Sequence, residues 1–324
     1  MTTPKISWVM PVYNQGGFVA AAIASILEQS FPDFELIVVD DGSDDCTSEV
    51  VGSFHDDRIR LLKNPCNMGV SSSLNEGIRA SQGEYIARMD GDDLSTPDRL
   101  AKQVGFMDAN PQIAVCGSYV ETIGAVSRVV KRPLGSAAIK CFLLAGPPFS
   151  HPSVIIRRAI LERHALYYDE GIGSAQDYEL WFRVLQVAPG WNLDEVLLKH
   201  RLHDRQVSVG RVAEQEANAS RVRREVLRLL GITADAEAME RHTRLFRNTL
   251  EPAAADLEWA AAWLEMIVEK NRGGRVFEEE ALRVFLNGRL EQYAARCASH
   301  GVTLRYLPAA AQGLLSRVLK SLFR

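Results

Sequence analysis

The stretch ISWVMPVYNQGGFVAAAIASILEQSFPDFELIVVDDGSDD, residues 6–45, decides the fold class. Its two apolar runs, residues 6–10 and 35–39, are partly β-branched, and each stops at a turn-forming or acidic segment. Between them, FVAAAIASILEQS repeats apolar residues at helical spacing. The pattern predicts a strand, a helix and a second strand, which is the start of an alternating α/β chain.

The same alternation continues downstream. SSSLNEGIRASQG predicts a helix that ends at Gly83, EYIARM a strand, and PDRLAKQVGFMDAN a helix with Pro97 near its first turn. This spacing predicts an α/β fold with a mainly parallel sheet flanked by helices. After about residue 210 the chain is rich in Ala, Glu, Arg and Leu. We therefore expect a first domain at residues 1–210 and a helical C-terminal region at 211–324.

Charge and composition exclude several classes of function. The 324 residues carry a formal net charge of −4, so no global positive field attracts nucleic acid, and we expect no nucleic-acid partner. Five cysteines form no CxxC pair and no zinc-ligand spacing, and their odd count argues against a full disulfide framework. The chain has neither a signal-like N-terminus nor a run of roughly 20 apolar residues. These features predict a cytoplasmic protein.

The final residues, AAAQGLLSRVLKSLFR (309–324), predict a basic amphipathic helix. Such a helix most often docks on its own protein or on a second copy, which would make a homo-oligomer. The alternative is peripheral contact with the inner face of a membrane, although one short helix binds lipid weakly. The sequence is consistent with both docking on protein and contact with a membrane.

Three polar segments directly follow predicted strands: PVYN (11–14), DDGSDD (40–45) and DGDD (90–93). In an open α/β sheet, ligands bind outside the carboxyl ends of the strands. Asp and Gly also make ordinary turns, which explains DDGSDD equally well. The three segments are therefore candidate site segments, and DGDD demands more because of its charge.

The DGDD segment crowds three carboxylates into four positions. Two carboxylates about 5 Å apart repel by roughly 0.8 kcal/mol in water and about 3 kcal/mol at an effective dielectric near 20. In a cleft, either a proton or a cation must offset this repulsion. Carboxylate oxygens suit a hard divalent ion such as Mg²⁺ or Mn²⁺, which would usually share its remaining positions with phosphate oxygens.

Taken in order, a set of segments resembles the family-2 glycosyltransferases of the GT-A (nucleotide-diphospho-sugar transferase) fold. The segments are PVYNQGGFVAAAIASILEQSFPDFELIVVDDGSDD, NMGVSSSLNEGI, GEYIARMDGDD, HPSVIIRR, AQDYELWFRV and HRLHDRQVS. The resemblance covers roughly residues 4–210. It implies a metal-dependent enzyme that moves a sugar from a nucleotide-diphospho-sugar donor to a saccharide, lipid-linked or protein acceptor, as in bacterial surface polysaccharide or glycoconjugate synthesis.

For the donor base, the resemblance implies contacts with the PxYN segment, which is Pro11, Val12, Tyr13 and Asn14 here. It also implies that the second Asp of the DDGS turn, Asp41, hydrogen-bonds the base. A carboxylate accepts the uracil N3–H, whereas it would repel a ring nitrogen that carries no hydrogen. This favours UDP, or dTDP with the same edge.

For the diphosphate, the D-x-D motif maps to Asp90, Gly91 and Asp92, whose two carboxylates are the expected metal ligands. The metal would stabilise the departing nucleoside diphosphate as a Lewis acid. By resemblance, His203 completes the coordination or touches the diphosphate, and His151 lies near the diphosphate and the acceptor. The alternative for either histidine is an ordinary structural role.

For the acceptor, the resemblance implies that Asp177 in AQDYELW is the general base. An acceptor hydroxyl needs such a base within about 3 Å, and a single base opposite the leaving group implies inversion. The chain departs from the family at Gln176, where Glu is usual, and at Leu74, where many relatives have Arg. We therefore expect the metal and Arg88 or Arg99 to neutralise the phosphates.

Two alternatives stay open from the sequence. One is a catalytically impaired nucleotide-sugar-binding or scaffold protein of the same fold, with Gln176 as the warning. The other is a sugar nucleotidyltransferase, which would want a basic, Gly-rich N-terminal phosphate loop. PVYNQGG contains neither Arg nor Lys, which weighs against this second alternative.

Overall fold

The computed structural model describes residues 3–203 and 212–302. The chain forms two compact units, and the second takes a segment from the middle of the sequence. The first unit is Met1–Ser136 with Pro147–Asn218, and the second is Ala137–Gly146 with Ala219–Arg324. The predicted domain boundary between residues 210 and 211 lies outside the described residues.

The first unit is built on a sheet of nine strands within the described ranges. They are β1 (Ile6–Val12), β2 (Phe34–Asp40), β3 (Ile59–Lys63), β4 (Tyr85–Arg88), β5 (Leu94–Ser95), β6 (Val115–Gly124), β7 (Arg128–Val130), β8 (Ile155–Arg157) and β9 (Gly190–Leu202). The order across the sheet is β3-β2-β1-β4-β8-β6-β9-β5, with β7 paired to β6.

Parallel pairing dominates one half of this sheet. Strand β1 lies parallel to both β2 and β4, and β2 lies parallel to β3. Beyond β4 the sheet is mixed, because β8 pairs antiparallel with β4 and β6, and β5 pairs antiparallel with β9. The α/β fold class predicted from the sequence is confirmed, with its parallel part confined to β1–β4 and the β6–β9 pair.

Both faces of the central parallel strands β1 and β2 are covered. Every residue of β1 and β2 is buried, which explains their continuous apolar runs. The first helix buries Val19, Ala22, Ile23 and Ile26, a spacing that places all four on one face. This face packs into the main hydrophobic core with Trp8 of β1.

Helices surround the sheet and form the second unit. They are α1 (Val19–Leu27), α2 (Thr47–Gly52), α3 (Val70–Ala80), α4 (Arg99–Ala109), α5 (Ser136–Phe142), α6 (Arg158–His164), α7 (Gln176–Val187), α8 (Val212–Leu229), α9 (Ala236–Phe246), α10 (Ala254–Gly274) and α11 (Glu279–Ser299).

The end of α3 differs from the sequence prediction. The helix ends at Ala80 rather than at Gly83, because Ser81 is already extended. A Cβ on Gly83 would lie 2.5 Å from the backbone nitrogen of Ser7. The glycine therefore lets the chain enter β4 close against β1, and it does not cap the helix.

Within the described ranges the second unit is helical, as predicted for the C-terminal region, and it includes residues 137–146. Trp263 Nε1 donates to His242 Nδ1 at 2.9 Å, so His242 Nε2 carries the hydrogen that it donates to the Leu144 carbonyl at 2.8 Å. Burial lowers the pKa of His242 to about 4, which keeps this arrangement neutral. Arg223 Nε donates to the Ala145 carbonyl at 3.0 Å.

Across the described ranges, no helix is both long enough and apolar enough to cross a membrane. The predicted amphipathic helix at residues 309–324 lies outside those ranges.

Candidate active site

The loop that follows β4, residues 90–93, is the centre of the candidate site, and we call it the carboxylate loop. Asp90, Asp92 and Asp93 each offer an oxygen atom within 4.8 Å of the others. Asp92 and Asp93 are buried, whereas the side chain of Asp90 is 27% exposed. A Cβ on Gly91 would lie 2.3 Å from Gln15 Oε1, so glycine lets this loop pack against the segment after β1.

Asp90 and Asp92 each have a basic partner. Arg88 donates two hydrogen bonds to the oxygens of Asp90, at 2.6 and 2.5 Å, and is itself buried. His203 Nε2 lies 2.9 Å from Asp92 Oδ2. Arg88 is the last residue of β4 and lies two residues before Asp90 in the sequence. The end of β9 brings His203 beside Asp92. These basic side chains therefore offset part of the electrostatic repulsion among the three carboxylates.

Asp93 joins the carboxylate loop to β9. Its Oδ1 accepts the backbone amide of Arg201 at 2.9 Å, and its Oδ2 lies 3.2 Å from His200 Nδ1. The contact follows from the pairing of β5 with β9, in which Leu94 is opposite Lys199. Asp93 therefore fixes the carboxylate loop against β9, the strand that ends directly before His203.

Burial dominates the electrostatics of this loop. It raises the pKa of Asp93 to about 6, against the opposing effect of the hydrogen bond with His200. Burial also raises the pKa of Asp92, and the charge of Asp90 adds to the effect. Burial tends to lower the pKa of His200, but the Asp93 hydrogen bond and charge outweigh it, so the pKa is raised. A bound cation would favour the ionised carboxylates.

His203 lies in an aromatic and cationic setting. Its ring stacks on Phe18 with centroids 4.7 Å apart, and the guanidinium of Arg201 lies 5.4 Å from the same Phe18 ring. Arg201 also donates from Nε to the carbonyl of Asp92 at 2.9 Å. Sequence reasoning selected His203 but missed His200 and Arg201, although the HRLH segment places all three within four residues.

Asp177 stands at the start of α7, the second residue of the helix after Gln176. Ala175 precedes them in the left-handed conformation with φ of 59°, which is uncommon for a residue with a Cβ. Burial raises the pKa of Asp177, while the backbone amide of Tyr178 and the positive charges of Arg88 and Arg132 oppose the rise. A carboxylate with a raised pKa is a stronger proton acceptor.

His151 forms a pair with Tyr168. Its Nε2 lies 2.8 Å from the Tyr168 hydroxyl oxygen. Burial and the nearby charge of Arg88 lower the pKa of His151 well below its usual value, so the imidazole is neutral. The side-chain amide of buried Asn75 holds Tyr168 by both backbone groups, with its Nδ2 and Oδ1 each 2.9 Å from the partner atom. Sequence reasoning did not select Tyr168, and no local pattern marks it.

The predicted base-binding segment leaves β1 at its carboxyl end. Pro11 and Val12 are buried, whereas Tyr13 is 42% exposed. Asn14 adopts a left-handed conformation with φ of 53°, and its Oδ1 accepts the backbone amide of Asp44 at 3.0 Å. The PVYN segment and the DDGSDD turn are therefore joined side by side.

Asp41 is buried and already engaged. Its oxygens accept hydrogen bonds from Asn64 Nδ2 at 2.7 Å and from the backbone amides of Met68 and Gly69 at 2.9 and 2.8 Å. A carboxylate has about four acceptor positions, so three donors leave room for one more.

The family of this chain follows from its relatives. A family model described as Glycosyl transferase family 2 matches residues 7–164. An uncharacterized glycosyltransferase of Haemophilus influenzae is 32% identical over 235 residues, which cover 68% of this chain and 73% of that protein. The putative glycosyltransferase EpsE of Bacillus subtilis is 34% identical over 203 residues, or 61% and 73% of the two chains. The chain belongs to glycosyltransferase family 2.

Solved structures support the fold of this family 2 glycosyltransferase. S. aureus TarS 1–349 in complex with UDP has a TM-score of 0.56 at 17% identity, covering 92% of this chain and 91% of that one. The mannosyltransferase PcManGT from Pyrobaculum calidifontis, in complex with GDP-Man and Mn²⁺, has a TM-score of 0.59 at 21% identity, with coverages of 92% and 88%. The GT-A fold predicted from the sequence is confirmed.

Leu74, one of the two departures expected from the sequence, is buried on α3. Arg99 is also fully buried, because it stacks on Trp8 at 4.6 Å and donates to the Arg88 carbonyl at 2.8 Å. Arg99 therefore supports the strand that carries Arg88 and does not face a ligand.

Proposed function

We propose that this family 2 glycosyltransferase transfers a sugar from a nucleotide-diphospho-sugar to an acceptor hydroxyl with inversion at the anomeric carbon. One observation carries the proposal: the charge of buried Arg88 acts on both the carboxylate loop and Asp177. Arg88 is bonded to Asp90 by two hydrogen bonds, and its charge also influences the pKa values of Asp177 and His151. The same cation thus links a cluster suited to a diphosphate to a carboxylate suited to take a proton.

In the proposed reaction, Asp177 accepts the proton of the acceptor hydroxyl as the oxygen attacks the anomeric carbon. The new bond joins the acceptor oxygen to that carbon, and the electron pair of the broken carbon–oxygen bond leaves with the nucleoside diphosphate. A single displacement with one base inverts the configuration. Supporting this role, burial raises the pKa of Asp177, while the charges of Arg88 and Arg132 favour its ionised form.

The residues of the carboxylate loop fit a divalent ion, and we propose Mn²⁺ or Mg²⁺. Asp90 and Asp92 offer hard oxygen donors within 4.8 Å of each other, and His203 Nε2 is hydrogen-bonded to Asp92 Oδ2 at 2.9 Å, which places the imidazole next to this cluster. When bound, such an ion would stabilise the negative charge on the departing diphosphate. Support also comes from PcManGT, a mannosyltransferase of similar fold described with GDP-Man and Mn²⁺.

We propose a UDP-sugar as the donor, with a dTDP-sugar as the alternative. Asp41 retains acceptor capacity for one further donor, which matches the N3–H of uracil or thymine. Tyr13 and Asn14 would lie against the base, with Pro11 and Val12 beneath them at the end of β1. TarS, of similar fold, is described with UDP and with UDP-GlcNAc.

A screen of nucleotide sugars tests the proposal. The full chain is incubated with Mn²⁺, a panel of UDP-, dTDP- and GDP-sugars, and saccharide, lipid-linked or peptide acceptors, and products are read by mass spectrometry. We expect release of a nucleoside diphosphate and one product, whose inverted configuration is read by NMR of the anomeric proton. Calorimetric titration with UDP, with and without Mn²⁺, is run beside it. Binding without turnover for every donor would favour the impaired-binder alternative, and no binding would contradict the proposal.

A further inference from the structure

The loop between β3 and α3, residues 64–69, is fastened to the turn that carries Asp41. The backbone amide of Asn64 donates to the Asp40 carbonyl at 2.8 Å, and Asp41 accepts the amides of Met68 and Gly69. Gly42 adds a close approach, because a Cβ there would lie 2.6 Å from the Cys66 carbonyl carbon. The position of Met68 is therefore set by the same turn that presents Asp41.

Two large apolar side chains are exposed in the segments that contact the Asp41 turn. Tyr13 is 42% exposed and Met68 is 54% exposed. Among the described residues, they are the exposed large hydrophobics that follow β1, β2 or β3. The backbone amide of Asp41 donates to the Val12 carbonyl at 2.9 Å, which places the Asp41 backbone beside the residue before Tyr13. Tyr13 and Met68 thus both adjoin one buried acceptor.

A single exposed apolar side chain is ordinary on a protein surface. Tyr13 and Met68 are informative because both adjoin the buried Asp41 carboxylate. A nucleobase has two flat faces and a polar edge. A polarisable thioether packs favourably on an aromatic ring, and a tyrosine ring does the same by stacking. An acceptor beside two such groups matches the shape and chemistry of a base.

We propose that Met68 contacts the nucleobase of the donor, on the face opposite Tyr13, with Asp41 at the edge of the base. The inference rests on the proposed function and deepens it, because it names the residue that covers the second face. Met68 is a binding residue here, and its contribution is to the nucleoside half of the donor. The diphosphate half is held elsewhere, by the carboxylate loop.

Calorimetric titration of the full chain with UDP and with inorganic pyrophosphate, both with Mn²⁺, tests this inference. Met68→Ala is expected to weaken UDP binding by about two- to tenfold, the range of a thioether–aromatic contact. Met68→Leu keeps the apolar volume and should retain most of the affinity. Val126→Ala, at a residue that is also 54% exposed, is the matched control and should change nothing. Pyrophosphate binding should be the same in all four proteins.

The possible results distinguish the role of Met68 from the proposed function. UDP binding that is unchanged in Met68→Ala would overturn the role of Met68 and leave the proposed function intact. An equal loss of pyrophosphate binding would also overturn it, because the substitution would then have displaced the loop. A wild-type chain that binds neither UDP nor any other nucleoside diphosphate would overturn the proposed function and this inference together.

Discussion

The site contains two kinds of acidic residue, and their surroundings differ. In the carboxylate loop each acid has a basic neighbour: Arg88 for Asp90, His203 for Asp92 and His200 for Asp93. Asp177 instead accepts backbone amide hydrogen bonds at the start of α7, and basic side chains act on it by charge. The proposed function assigns a different task to each of these two settings.

Under the proposed function, this difference in surroundings would separate ion binding from proton transfer. Burial raises the pKa of Asp92, Asp93 and Asp177 alike, so the contrast lies in their partners. The loop carboxylates have oxygens within 4.8 Å of one another, which suits a cation. Asp177 accepts backbone amides and has a raised pKa, which suits a base. Pairs of titratable groups whose environments differ in this way are typical of enzymes that divide acid and base roles.

The strongest test of this contrast is Asp177→Asn. It should reduce sugar transfer by about 10²–10⁴-fold, the usual contribution of a general base, while donor binding stays unchanged. Transfer is measured by mass spectrometry and UDP affinity by calorimetry. The exposed Asp194→Asn serves as control. Near-normal transfer in Asp177→Asn would remove Asp177 from its proposed role.

In the carboxylate loop, Asp92→Ala should weaken Mn²⁺-dependent UDP binding by roughly 10–100-fold. Changing a residue of a metal site typically lowers metal affinity by this factor. UDP binding without Mn²⁺ should change much less, because the nucleoside contacts remain. The measurement is the UDP affinity at several Mn²⁺ concentrations. An unchanged Mn²⁺ dependence would contradict the assignment of Asp92 as a ligand.

Replacing Arg88, the partner of Asp90, should lower the stability of the protein. Arg88→Met leaves Asp90 without its partner beside two other carboxylates, and we expect a loss of about 2 kcal/mol in the free energy of unfolding. Urea unfolding measures it. The double variant Arg88→Met/Asp90→Asn should recover part of the loss. If the single variant is as stable as the wild type, the ion pair does not stabilise the loop.

The smallest expected effect is on pH dependence. Because Asp177 must be ionised to accept a proton and its pKa is raised, the rate should fall on acidification at a higher pH than for an ordinary carboxyl. Arg132→Met removes a charge that lowers this pKa, so the acidic inflection of the rate should move to higher pH. Arg132→Lys keeps the charge and should keep the profile. An unchanged inflection in Arg132→Met would dissociate the two residues.

Local patterns predicted much of this molecule. The strand and helix periods gave the parallel half of the sheet, and Asp residues directly after apolar runs indicated the carboxylate loop, because strand ends share one edge. His203 was predicted from motif context, and the structure places it beside Asp92. The roles of these residues remain predictions.

Other contacts could not be predicted because they depend on distant pairings. The bond between His200 and Asp93 requires β5 to pair with β9 across about a hundred residues. Asn75 holds Tyr168 by two hydrogen bonds between residues 93 apart in the sequence. Neither pairing has a period or a turn signal, so only the assembled sheet reveals it.

The segment at residues 137–146 has a consequence for biosynthesis. Its carbonyls at Leu144 and Ala145 bond to His242 and Arg223, which the ribosome makes much later. At about 5–20 residues per second, roughly 8–30 s separate the synthesis of this segment from that of Cys297, a buried residue of the last described helix. During that interval the Leu144 carbonyl lacks His242, and the Phe142 ring lacks Phe285. A nascent chain paused before residue 219 should bind a chaperone that recognises apolar segments, and release it as the later helices emerge.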